Sequence, residues 1–198
     1  NPKHVEALTV SMLYYYQAPS IIGGDKDEAR GLPAKIRAID VARGWLAESR
    51  LAVLEKKPER LEDLYVKAVA ANPKLYAARM ALASHYLRRR KDYTSTVAQA
   101  LAAHQLEPDR AAPFALLAAA VAAQGRMDEM EAWLRKSEAQ IPDDLSPHLA
   151  AARALVETKR DLTRARTLME RYLTQPNEPG DPSHDEVRKE LRAIASNR

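Results

Sequence analysis

The chain has no cysteine among its 198 residues, which excludes a disulfide frame, a thiol nucleophile and a thiolate metal site. Such an absence suits an oxidising compartment. Glycine occurs six times and phenylalanine once, so there is little from which to build strands. No apolar run approaches the roughly twenty residues that cross a bilayer. An excess of one charge is missing too. Against 31 Lys and Arg stand 27 Asp and Glu, a formal +4, which predicts mixed, solvated helix faces rather than a nucleic-acid footprint. The five histidines, His4, His85, His104, His148 and His184, fall at no metal-ligand spacing, and neither HExxH nor GxSxG occurs. Asp143-Asp144 and Asp185-Glu186 stand at expected helix starts, where the positive dipole end favours acids. No catalytic residue, metal or cofactor is therefore expected. Because the chain begins at Asn1 rather than Met, a processed form is expected.

What dominates instead is Ala and Leu, the composition of helices. Prolines recur at Pro73, Pro108, Pro142 and Pro176, in steps of 35, 34 and 34 residues, a period that points to a helical-repeat solenoid. Between them each segment predicts two amphipathic helices: 41–57 with 59–71, 75–90 with 93–106, 111–124 with 127–140, and 145–158 with 162–174. Proline closes each pair because it cannot extend a helix and displaces its predecessor from the helical region. Each first helix carries a bulky residue (Trp45, Met80, Phe114, His148) and, four on, a small one (Ser49, Ser84, Ala118, Ala152). An apolar one follows three later (Ala52, Leu87, Val121, Leu155). The small residue admits the second helix closely, and the bulky one fills the gap to the neighbouring pair.

This pattern resembles the tetratricopeptide repeat (TPR) superfamily over nearly the whole chain, with Trp45, Ala68, Pro73, Pro108, Gly125 and Pro142 at consensus positions. Glu48 and Thr96 depart from it, standing where Leu and Ala are usual, and the last pair slips by one residue around Ala165. The resemblance implies an all-α, right-handed superhelix of stacked helix-turn-helix repeats, with ten or eleven helices. The repeat domain is expected over residues 1–176, a linker over 177–183 and a capping helix over 184–198.

The same template fits the N-terminus, with Ser11 at the small position, Tyr14 at the apolar one and Ala29 at the small position of a second helix. About six extra residues, 18–23, lie between the two helices. Tyr14-Tyr15-Tyr16 therefore ends a helix, Gly23 and Gly24 supply turn conformations, and Asp25 caps a helix with Glu28 three residues on. A phosphate loop would need GxxxxGK followed by Ser or Thr, after a strand. The stretch is also similar to Gram-negative envelope TPR proteins in which a Tyr-rich helix, an Ala-Pro and a Gly-Gly-Asp-Lys precede a helix. That resemblance implies a periplasmic or envelope setting.

Superfamily ligands lie on the concave face, lined by the first helices. Carried over, those positions offer Leu8, Met12, Tyr15 and Tyr16 at an apolar end, with Trp45, Leu46, Arg50 and Val53 next. His85, Arg88 and Arg89 follow, and an almost all-Ala helix that leaves room comes after them. The paired Lys and Asn of the chaperone-binding TPR clamp do not appear at these positions. The expected partner is a protein segment in the groove. The alternative is an apolar small molecule or lipid held by the same apolar residues, with an Arg on its polar head. The apolar first helix has a further reading, in which the Ile21-Ile22 loop simply covers it as an end cap.

Overall fold

The computed structural model describes residues 2–196. Among the described residues the chain forms eleven α-helices and no strand, and it divides into two compact units, residues 1–85 and 86–198.

The first unit holds α1 (Pro2–Gln17), α2 (Lys26–Ile39), α3 (Val41–Leu54), α4 (Leu61–Ala71) and α5 (Tyr76–His85), each packed on the next. Val5 and Met12 of α1 meet Ala29, Leu32 and Ile36 of α2 and Ala47 and Leu51 of α3 in one core. Gly44 lets α2 and α3 approach closely, since a Cβ there would stand 2.5 Å from the Arg37 Cα. Trp45 packs on the side of α3 that faces α4, beside Ala52, Leu61 and Leu64. Glu48 is explained here as well, because its carboxylate bridges Arg37 and Arg60.

The loop after α1 is a tightly turned connector. Its 3-10 turn (Ser20–Ile22) is closed by Gly23 at φ 94°, and a Cβ on Gly24 would fall 1.8 Å from the Ala18 carbonyl oxygen. Asp25 caps α2 as its sequence position predicts, accepting from the Asp27 and Glu28 amides at 2.9 and 3.0 Å. The reciprocal bond from the Glu28 side chain to the Asp25 amide is absent. Glu28 turns to Lys35, and the Asp25 amide donates to the Tyr15 carbonyl at 2.9 Å.

The second unit opens with a π-turn (Tyr86–Arg90) and continues through α6 (Tyr93–Leu106), α7 (Ala112–Ala123), α8 (Met127–Gln140), α9 (Ser146–Glu157), α10 (Leu162–Tyr172) and α11 (His184–Ser196). Helix α7 packs on α6, α8 and, most extensively, α9. Most of its alanines leave no room in a groove, although Ala112 is exposed and Ala115 half-buried. Ala118 to Ala123 are all buried, because side chains this small bring α9 down onto them. Thr96, at a usual Ala position, is wholly buried and satisfies its hydroxyl on the Asp92 carbonyl at 2.8 Å.

Four residues at the ends of first helices share one backbone state. Lys56, Lys91, Gly125 and Lys159 all have φ between 53° and 78°. Next to them, Lys57, Arg126 and Arg160 donate to the carbonyls of Ala52, Val121 and Leu155 at 2.8–2.9 Å, the bond that closes a Schellman turn. In the remaining repeat the bond is one residue wider, from the Asp92 amide to the Tyr86 carbonyl at 3.1 Å. The single 35-residue step is thereby located: its extra residue is absorbed by the π-turn at Tyr86–Arg90.

Candidate binding site

In the first unit, α1, α3 and the entry to α5 leave an open trough of about 320 Å³. Helix α1 supplies Val5, Glu6, Thr9, Val10 and Leu13, and α3 supplies Arg43, Leu46, Ala47 and Arg50. Leu75 and Ala77 close the third side. The apolar floor is exposed where Val10 stands, at 66%. Arg43 reaches Asp40 at 3.6 Å, whereas Arg50 makes no ion pair or hydrogen bond among the described residues.

Of the expected site residues, Leu46 and Arg50 meet in this trough. Most of the others do not, and the reason is register. Glu6, Thr9 and Leu13 hold the places on α1 that Arg43, Leu46 and Arg50 hold on α3, a constant offset of 37 residues. The sequence template sets α1 one residue off. Met12 consequently falls at the packed position and is fully buried, out of reach of any ligand. Leu8, Tyr15 and Tyr16 are half-buried against the same core. The Tyr16 hydroxyl donates to the Leu54 carbonyl at 3.4 Å, and its ring carries the Lys26 ammonium at 5.4 Å. The bulky stripe of α1 therefore packs the molecule, while its neighbouring stripe faces the trough.

Trp45 lines no trough either. Its ring lies under the Arg37 guanidinium at 3.6 Å, with Lys67 at 5.0 Å, and is only partly buried. Val53 is exposed on α3 beyond the lining residues. The extra residue of the π-turn displaces α5 by one residue as well, in the opposite direction to α1. Ala83, wholly buried, is the small residue rather than Ser84, so Ala77 faces the trough and His85 turns inward. His85 packs edge-on to Tyr65 at 5.9 Å, with Nε2 3.5 Å from the Glu62 carboxylate. Arg88 and Arg89 are exposed on the π-turn and belong to the second unit.

The connector does not cover the first helix as an end cap would. Ile21 and Ile22 are 91% and 59% exposed, although the Tyr14 hydroxyl holds the Ile22 carbonyl. In the second unit, α9, α10 and α11 border an open apolar recess of about 620 Å³ lined by Val156, Leu162, Met169, Ala193 and Ile194. On its wall the Arg153 guanidinium holds the Glu190 carboxylate with two bonds, of 3.1 and 2.7 Å.

Among the described residues no three His, Asp or Glu side chains gather as a metal set, and no helix is long and apolar enough to cross a membrane.

No protein-family model matches the sequence, and no curated protein does. Solved structures do. A structure from the functional characterisation of Pseudomonas aeruginosa pilF shares 19% identity, with a TM-score of 0.63 over 99% of this chain and 89% of that one. TTC0263, a thermophilic TPR protein of Thermus thermophilus, shares 16% identity, with a TM-score of 0.61 over 97% and 99%. The fold is all-α and TPR-like, a helical-repeat scaffold.

Proposed function

We propose that the protein is a non-catalytic adaptor that binds an extended protein segment in the trough of its first unit. The observation that carries this reading is the trough itself: an open apolar floor spanning three helices and exposed at Val10, with two arginines on its wall. An open channel of this kind suits a chain that runs through it, whereas a small ligand is held by burying most of its surface in a cavity. The residues proposed for a lipid do not converge on such a cavity. Met12 is sealed, Tyr15 and Tyr16 lie half-buried against the core, and Trp45 lies beneath Arg37. The Gram-negative envelope is proposed as the setting on the Tyr-rich resemblance alone.

A random-peptide library displayed against the full chain tests the reading. Val10 is exposed, so Val10→Glu should leave the fold intact while placing a charge on the trough floor. Selected peptides should lose affinity for this variant by about tenfold or more, the equivalent of ~1.4 kcal/mol. Binders indifferent to the substitution would overturn it.

A further inference from the structure

Arg50 and Arg153 occupy one position of the repeat, each directly after the small residue that the second helix packs against, Ser49 and Ala152. Arg50 is exposed and Arg153 half-buried, and their partners differ. Arg153 is met by a carboxylate: Glu190 of α11 accepts from its Nε and one terminal nitrogen, and the pair sits beside Val156 and Ile194. Within α11 that carboxylate is flanked by buried Val187 three residues before it and buried Ile194 four residues after. Arg50 faces the same kind of apolar surroundings, with Leu46, Leu13 and Val10 on the trough, and has no carboxylate among the described residues. Glu6 is the acid among the lining residues, and it forms no ion pair with Arg50.

A planar guanidinium beside apolar surface favours a two-bonded carboxylate over other protein acceptors, because the two carboxylate oxygens accept from two of its parallel N–H donors at once. Taking the unit-1 trough as the binding site proposed above, we infer that its partner is a segment carrying an Asp or Glu between apolar side chains. The carboxylate is received by Arg50 and the apolar residues lie on Val10, Leu13 and Leu46. The segment repeats, from outside the chain, the contact that α11 makes within it. Glu6 on the same wall disfavours segments with several adjacent acids, so the pattern is a single carboxylate in an apolar stripe rather than an acidic run.

The peptides selected on the full chain provide the test. Trough binders, meaning those weakened by Val10→Glu, should share one acidic residue at a fixed distance from two apolar ones. Arg50→Gln should weaken them about tenfold, and replacing the peptide's acid by its amide should do the same. Combining the two changes should cost little more than either alone, because both remove one contact. Arg153→Gln should leave these affinities unchanged. Trough binders with no shared acid, or an Arg50→Gln variant that binds them as wild type does, would overturn the inference while leaving the trough as the site. Peptides that ignore Val10→Glu would overturn both. Peptides weakened by Arg153→Gln and not by Arg50→Gln would show that they take the place of α11.

Discussion

The two units place the same repeat positions in different surroundings. Trp45 and Phe114 are equivalent, yet Phe114 is wholly buried while Trp45 is half open under Arg37. Arg50 and Arg153 are equivalent, yet of the two only Arg153 has its carboxylate among the described residues. Around α7 the second unit closes on alanines, and its open recess lies by α9, α10 and α11. The first unit instead leaves a channel between α1 and α3 and covers its outer side with ion pairs, Arg37–Glu48–Arg60 among them. A shared repeat pattern sets where the helices go. The side chains at each copy decide whether a given position packs, pairs or stays open.

The largest break in this comparison comes at the aromatic position. Phe114→Ala should cost about 3–5 kcal/mol, the range for deleting a buried aromatic ring. Trp45→Ala should cost less, about 1–3 kcal/mol, since it loses partial burial and a cation–π contact. Equilibrium urea unfolding of both variants measures the difference. Equal losses would contradict the placement of Trp45.

Acid separates the units further. Burial is the main cause that holds the His148 imidazole neutral, and Arg171 and Arg164 add to it against the pull of Glu138, 2.9 Å away. Burial lowers His104 in the same direction, helped by Lys136. Both histidines belong to the second unit. On unfolding, each becomes free to take up a proton as pH falls through about 6.5. The unfolded state then binds more protons, so stability is complete above that pH and declines below it. Melting temperatures at pH 7.5 and 5.5 should show this loss, and His148→Gln should reduce it. An unchanged pH dependence in that variant would refute the assignment to His148.

Much of this was legible in sequence. The proline steps mark out the helix pairs, and α8 and α11 begin at their predicted residues. Asp25 was readable as a cap because capping is local chemistry. The trough was harder to read. Its lining depends on register, and one residue shifts a helical face by about 100°. The aromatic stripe of α1 looks like a ligand surface in sequence because burial against α2 and burial against a partner select the same side chains. The displaced phase of α5 follows from a π-turn, whose only sequence sign is the 35-residue step.

The smallest expected effect concerns the four turn positions. Lys56, Lys91 and Lys159 carry a left-handed backbone that Gly125 adopts without strain. Each Lys→Gly change should relieve about 1–2 kcal/mol of that strain but lose up to about 1 kcal/mol to the greater freedom of the unfolded chain. Raised urea midpoints should result, with Gly125→Ala moving the other way. Lys91 also pairs with Glu157 and would lose that contact, so Lys56→Gly and Lys159→Gly are the clean tests, and destabilisation by both would contradict the strain.

The open trough in the first unit is tested most directly by methyl NMR of the full chain titrated with a selected peptide. The shifts should concentrate on Val10, Leu13, Leu46 and Leu75, with Met12 and the methyls of α7 little changed. Shifts confined to Val156, Leu162 and Ile194, or to Ile21 and Ile22, would contradict the account and move the binding site elsewhere.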